Sequence, residues 1–485
     1  GDVYKRQIYI YMVYLYWIIF IVYSAMVVGT ITTVLMDNRQ PVKAMAWIMA
    51  VMFMPVIGII FYFFFGQNTR KEKLISQHSL DLLTKSSMLE FAVQKDLKVP
   101  DESKTLVKLF ASQNWALPFK DNEIDIYTNG YTFFAELIRE IGKAKKSIHL
   151  GTYIMEADAL GNLIADILID KAKEGVEIRL VYDGVGCWNV SDKFFNRMRN
   201  AGVMVETFMP VRFPAFTSKV NYRNHRKLCV IDGKVGFIGG MNIAKRYIVG
   251  NGKQKWRDTH MKICGGAVYA IQRAFLVDWY FVSGELISDR KYYPELDGTI
   301  KNDKIIQIVT SSPVSKWPDI MQGYVRILLE ARHYVYMETP YFLPTETVMS
   351  AMRIAALAGV DVRIMIPRHG DAKFVEWASR SYVFETIQAG VKVYLYRAAF
   401  NHSKLLVCDD NVCTCGSTNI DFRSFENNFE ANAFIYGKET AQQFKQIFMN
   451  DIRHSVYVTE KMISQKRPFI NRLWESLVRL LSPLL

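Results

Sequence analysis

"NHRKLCVID", Asn224–Asp232, carries His225, Lys227 and Asp232 in a His-x-Lys-x4-Asp frame, and the frame returns as His402, Lys404 and Asp409 in "NHSKLLVCD", Asn401–Asp409. The match runs on past the Asp, because Gly239-Gly240-Met241-Asn242 stands at the same offset from its His as Gly416-Ser417-Thr418-Asn419. One such frame is cheap in a chain with eight His; two that share a downstream Gly and Asn are not. The chain is therefore read as a duplication in which each copy supplies one His-x-Lys.

The flanks repeat as well. "KSIHLGTYI" (146–154), "NLIADILIDKAKEG" (162–175) and "VEIRLVYD" (176–183) read as strand, helix and strand, and "HYVYMETPYF" (333–342), "VMSAMRIAALAG" (348–359) and "VDVRIMIP" (360–367) repeat that order. "NAGVMVETFMP" (200–210) answers "QAGVKVYLYR" (388–397), each a helix-ending Gly before a short strand. Alternation of this kind predicts α/β layers around a largely buried sheet, once in 119–300 and again in 301–466. The copies differ at "MPVRFPAFTSKVNYR" (209–223), which lengthens the approach to His225. Its mixture of aromatic and basic residues reads equally as a lip over a lipid headgroup and as an ordinary long loop.

Side chains two apart on a strand share a face, so His225 and Lys227 are expected together, as are His402 and Lys404. If the halves pack about a pseudo-twofold axis, two imidazoles and two ammonium groups converge on one phosphate site. An imidazole can attack phosphorus, the opposing imidazolium can protonate the leaving alkoxide, and Lys and Asn donors can hold the non-bridging oxygens. Asp232 and Asp409, five residues beyond the Lys, point to the opposite face, which favours a structural role in a turn or ion pair. Asp258 in "WRDTH" and Glu430 in "NNFEAN" are better placed to orient the rings, with Asp258 expected to serve the imidazole of its own half. The six cysteines form no CxxC pair, and Cys229 and Cys408 fall in buried strands, so core thiols rather than a metal site are expected.

Ile8–Met36 and Ala44–Phe65 are free of charged residues and meet the length of a bilayer-crossing helix, which predicts a two-helix anchor over 8–66, the second segment being a re-entrant candidate because of Pro55 and Gly58. Residues 1–7, "GDVYKRQ", read like translated adapter sequence and are set aside. Residues 67–118 form a polar lead-in. Arg70, Lys71 and Lys73 after the second run, against Arg39 and Lys43 between the runs, place the remainder of the chain in the cytoplasm by the positive-inside rule. A net charge of +13 fits an anionic partner, and the apolar runs favour an acidic membrane over nucleic acid. The tail, 467–485, has the spacing of an amphipathic helix that lies in an interface or packs on the body.

These phrases, with "GTYIMEADALG", "TPYFLP", "GSTNIDFRSFENNFEANAF" and the terminal "LLSPLL", resemble the phospholipase D superfamily, and within it the bacterial cardiolipin synthases, over essentially the whole chain. The resemblance implies two tandem phospholipase D-like domains, each a mixed sheet flanked by helices. It implies transfer without metal or cofactor of a phosphatidyl group from one phosphatidylglycerol to another in a bacterial plasma membrane, through a phosphohistidine. Its catalytic set is His225, Lys227, Asp232, His402, Lys404 and Asp409, with Asn242, Ser417 and Asn419 on substrate oxygens. By position His225 is the nucleophile and His402 the acid and base, although these roles are exchangeable. Hydrolysis and phosphatidylserine synthesis use the same site with another acceptor. One departure is "NIAKRYIVG", where Lys245-Arg246 stands at a position more often acidic in the family.

Overall fold

A computed structural model of the chain describes residues 2–36, 41–66, 97–114, 116–210, 222–252, 254–296, 298–464, 469–480 and 482. The N-terminal helices form one unit and the α/β body another. In the first unit, Asp2–Met36 is a single helix. Its stretch Tyr4–Met36 contains an 18-residue window with a mean hydropathy of 2.2 and is the one described helix long and apolar enough to cross a bilayer. The second apolar run is broken. It forms helices Pro41–Phe53 and Pro55–Phe61 and a π-helical turn Tyr62–Gly66. Pro55 has no N–H to continue the hydrogen-bond ladder, and the helix ends at Phe53. The kink brings Gly58 so close to Ala50 that a Cβ would meet its carbonyl oxygen at 2.5 Å. The second run is thus not one continuous helix.

The body contains two sheets with one plan. The first half holds β1 (Asn122–Tyr127), β2 (Ser147–Thr152), β3 (Glu177–Asp183), β4 (Met204–Phe208), β5 (Leu228–Ile231), β6 (Val235–Gly239), the two-residue β7 (Trp256–Arg257) and β8 (His260–Gly265). Seven of these form a sheet in the order β1-β8-β6-β5-β2-β3-β4. The second half holds β9 (Ile305–Ser311), β10 (Tyr334–Glu338), β11 (Phe342–Leu343), β12 (Asp361–Pro367), β13 (Lys392–Tyr396), β14 (Phe400–Asn401), β15 (Leu405–Cys408), β16 (Val412–Gly416), β17 (Ile420–Asp421), β18 (Glu430–Tyr436) and β19 (Ser455–Tyr457). Its eight-stranded sheet, β9-β18-β16-β15-β10-β12-β13-β19, reproduces the first order and adds β19 at the edge. Pairing directions agree too: β2-β3 and β10-β12 are parallel, β2-β5 and β10-β15 antiparallel. The predicted duplication of mixed sheets is the observed architecture.

The motif strands explain how the halves are joined. In β5, Cys229 and Ile231 pack into the core of the first half, whereas Leu228 and Val230 enter a core shared by both. In β15, Leu406 and Cys408 pack into the core of the second half, and Leu405 and Val407 enter the shared one. Both strands are buried on both faces, so all four positions of each are apolar. One continuous core thus fixes the halves against each other.

The strand ends decide the role of the two Asp. Asp232 and Asp409 turn the chain out of β5 and β15 with φ of 54° and 49°, a left-handed conformation that Asp tolerates. The Asp232 carboxylate accepts from the backbone N–H of Lys145, Lys146 and Ser147 at 2.7–2.9 Å. Asp409 accepts from Arg332, His333 and Tyr334 at 2.6–2.9 Å. Each carboxylate closes the turn that starts the neighbouring strand, and on this geometry we propose a structural role for Asp232 and Asp409 in place of the catalytic one. Asp232→Ala and Asp409→Ala are expected to cost about 1–3 kcal/mol of stability each, by orphaning backbone donors. Turnover per folded molecule should stay within a few-fold. Thermal unfolding in detergent with an activity assay checks this; full stability with lost turnover would reverse the assignment.

Candidate active site

Strand β5 begins only at Leu228, so His225 and Lys227 lie in the extended segment just before it, and His402 and Lys404 lie likewise before β15. These segments leave their own sheets because they hydrogen-bond across the duplication. The His225 N–H donates to the Phe429 carbonyl at 2.9 Å, and the Phe429 N–H donates to Arg223 at 2.8 Å. In the other direction β14 pairs with β7, and the His402 N–H donates to the Arg257 carbonyl at 2.7 Å. Phe429 and Arg257 each immediately precede an acidic residue, and this places the carboxylates.

The imidazole partners are crossed. His225 Nδ1 meets both oxygens of Glu430 at 3.0 and 3.1 Å. His402 Nδ1 lies 2.6 Å from Asp258. Asp258 therefore serves the His of the opposite half, not His225 as within-half reasoning expected. A carboxylate at Nδ1 assigns the proton there and leaves Nε2 as the free base. Glu430 is also held by the Ser417 hydroxyl, which donates to it. Ser417 thus braces a carboxylate and does not line the cavity, contrary to a role on substrate oxygens. Its counterpart is Gly240 of necessity, since a Cβ there would stand 2.1 Å from an Asp258 oxygen.

The two rings line one cavity of about 260 Å³, with Asn242, Asn419, Arg223, Arg246 and Arg423. Asn242 accepts from the Ile154 N–H at 3.1 Å and donates to the Tyr247 hydroxyl at 2.8 Å. Asn419 donates to Asp421 at 3.0 Å, and its side-chain Oδ1 has no hydrogen-bond partner among the described residues. Lys227 and Lys404 are buried behind the rings: Lys227 Nζ donates to the His225 carbonyl at 2.5 Å, and Lys404 Nζ lies 2.8 Å from His402 Nδ1. They supply positive potential from behind the rings. Aromatic side chains fence the site, with Tyr153 edge-on to His225 at 5.1 Å and Trp256 and Tyr247 at 5.3 and 5.9 Å from His402. Arg246, at the position where the family pattern is departed from, stacks over Trp256 and pairs with Glu156.

Tyr153, Tyr247, Tyr341, Trp256 and Arg423 escaped sequence reasoning, whereas Arg223 and Arg246 lie in the two stretches it singled out. Tyr153, Tyr341 and Trp256 do sit inside phrases that flank the duplicated strands, and an offset comparison of the halves is the signal that points to them. Of the 209–223 insert, 211–221 lies outside the described residues; Arg223 is buried and its guanidinium donates to the Met209 carbonyl at 3.1 Å.

Electrostatics follow from burial. Burial holds His402 down at about 3, with the Lys404 charge adding to it and Asp258 opposing. Burial also lowers His225 and brings Lys404 down to about 8. Burial pushes the carboxyls of Asp258 and Glu430 up, but the facing cations outweigh it and both end below their usual range. The resting site thus has ionised carboxylates and neutral imidazoles. A group entering with a phosphate's negative charge raises the rings and draws a proton onto one of them.

With this geometry in place, the fold and site define a two-domain protein of the phospholipase D-like class. The family model described as "Cardiolipin synthase, PLD-like domain" matches residues 137–264 and 324–452, and "Phospholipase_D-nuclease N-terminal" matches 17–67. The cardiolipin synthase of Oceanobacillus iheyensis is 39% identical over 465 residues, 94% of this chain and 96% of that protein. The major cardiolipin synthase of Bacillus subtilis is 39% identical over 472 residues, again 94% and 96%. The phosphatidylserine synthase of Haemophilus influenzae shares the fold, with a TM-score of 0.60 at 17% identity over 79% of this chain and all of that one. The chain belongs to the cardiolipin synthase family of phospholipase D-like enzymes, and its N-terminal apolar helix associates it with membrane.

Two outcomes test the crossed site. Asp258→Asn and Glu430→Gln should each slow turnover by about 10²- to 10⁴-fold, as loss of a tautomer-fixing carboxylate does elsewhere, with the circular dichroism unchanged. Retention within threefold would contradict the orienting role. The second outcome concerns pH. Because His402 is depressed in the folded state, the unfolded chain takes up its proton first on acidification, near pH 6.5. Stability from this group is complete above about pH 6.5 and declines as pH falls toward 3. His402→Gln should flatten the fall of the thermal midpoint between about pH 6.5 and 4.5; an unaltered slope would count against the buried neutral ring.

Proposed function

We propose that the chain is a membrane-bound cardiolipin synthase that joins two phosphatidylglycerols into cardiolipin and glycerol through a phosphohistidine. The observation that carries the reading is the pair of Nδ1-anchored imidazoles, one from each half, lining a single cavity with Asn and Arg donors. Nε2 of His225 attacks the phosphorus of the donor lipid and the bond from phosphorus to the glycerol oxygen breaks. That oxygen takes the proton carried by His402. A hydroxyl of the second phosphatidylglycerol then gives its proton to His402 and attacks phosphorus, and the P–N bond breaks. His225 is preferred as nucleophile because its side chain is 12% exposed against 6% for His402, whose Nδ1 side is also crowded by Lys404. The buried lysines and the cavity's amides and guanidiniums offset the growing phosphate charge, the part a metal ion would otherwise play.

In this reading the first helix spans a bacterial plasma membrane, the second apolar run is embedded beside it, and the body is cytoplasmic, supported by the charges at 70, 71 and 73. The tail adds an interfacial contact. Helix Phe469–Arg479 docks on helix Lys373–Gln388 through buried Val478 and through Arg479, which pairs with Glu385 and stacks on Tyr382. Ile470, Leu473, Trp474, Leu477 and Leu480 point outward, the reverse of packing in water.

Incubating the detergent-purified protein with phosphatidylglycerol alone, followed by mass analysis, should yield cardiolipin and free glycerol. Phosphatidic acid as the sole product would replace the reading with hydrolysis. His225→Ala and His402→Ala should each abolish product while the protein stays folded, and a chelator should leave the rate unchanged.

A further inference from the structure

A second cavity, of about 310 Å³, shares Tyr341, Ala372 and Val375 with the catalytic one, so the two chambers have a common wall. Its character is different. Ile366, Pro367, Val383, Leu395, Val458 and Met462 line it with apolar surface, and its size falls in the range of small-molecule sites. Two exposed groups, Arg368 and His369, stand on its rim, and Arg380 is held to Glu376. The helix that walls it, Lys373–Gln388, also carries Phe374, 52% exposed, and is the helix on which the outward-facing apolar tail docks.

Resting on the reading above, the transfer needs two lipids at once. The donor phosphorus sits between the imidazoles, and the acceptor brings a second phosphate that lies one glycerol unit from the attacking hydroxyl. The acceptor therefore requires apolar surface for an acyl chain and a cation for its phosphate, both beside the catalytic chamber but outside it. We propose that this second cavity is the acceptor subsite: it takes an acyl chain of the acceptor phospholipid, Arg368 faces that lipid's phosphate, and the headgroup hydroxyl reaches the phosphohistidine past Tyr341. The cavity then sets the choice between cardiolipin and products of small acceptors, because a small alcohol or water needs only the catalytic chamber.

The test is a partition. Purified full-length protein is given fluorescent phosphatidylglycerol in mixed micelles with ethanol, and cardiolipin and phosphatidylethanol are quantified together. Val383→Phe, which fills the cavity, and Arg368→Glu, an exposed site where folding is not at stake, should each lower cardiolipin formation by about tenfold or more, the scale on which a pocket rejects a misfit. Phosphatidylethanol should stay within twofold of the parent. An equal fall of both products in Arg368→Glu, or no fall of either, would overturn the acceptor assignment. A parent protein that forms phosphatidylethanol but no cardiolipin would instead overturn the synthase reading on which the inference rests.

Discussion

Each imidazole of the site is held by a carboxylate that belongs to the other half of the duplication. Glu430 on His225 and Asp258 on His402 are buried carboxylates, each hydrogen-bonded to an imidazole with a lysine behind it, an arrangement that is costly to desolvate unless every partner is in place. The structure supplies those partners through the backbone: the N–H of each His is bonded to the residue just before the opposing carboxylate. Neither half alone completes a reactive histidine. That dependence explains why the motif occurs twice in one chain and why β5 and β15 each contribute two side chains to a common core.

The duplication was legible because strand order, helix-ending glycines and the His frame recur at matched offsets, and the observed sheets repeat one another strand for strand. The structural character of Asp232 and Asp409 was legible from strand alternation alone. The crossed carboxylates were not. Sequence distance places Asp258 with His225, and only the packing of the halves reveals that the segments before β5 and β15 pair outward, beyond their own sheets. Ser417 was misplaced for a similar reason, since its neighbour Asn419 does line the cavity while Ser417 faces Glu430. The second apolar run had the composition of a single helix, and Pro55 divides it.

The halves are alike in plan and unlike in detail, and the differences lie where roles would diverge. Glu430 is one methylene longer than Asp258 and has a serine hydroxyl to brace it, whereas Gly240 leaves room for Asp258 to pack closely. Lys227 and Lys404 each donate to the carbonyl of their own His, and Lys404 also lies 2.8 Å from the His402 Nδ1. The second half carries an apolar chamber of about 310 Å³ next to the catalytic one. A symmetric scaffold with one imidazole kept more open than the other fits a nucleophile and a proton carrier that do different work in the same turnover.

The most direct test of this account is to trap the covalent intermediate. Phosphatidyl-p-nitrophenol, whose leaving group needs no acid, is reacted with His402→Ala protein, and the peptide containing Asn224–Lys227 is examined by mass spectrometry. The expected result is a phosphatidyl adduct on His225 that disappears when Glu430→Gln is added and persists when Asp258→Asn is added. An adduct that depends on Asp258 and not on Glu430 would contradict the crossed pairing at the centre of the site.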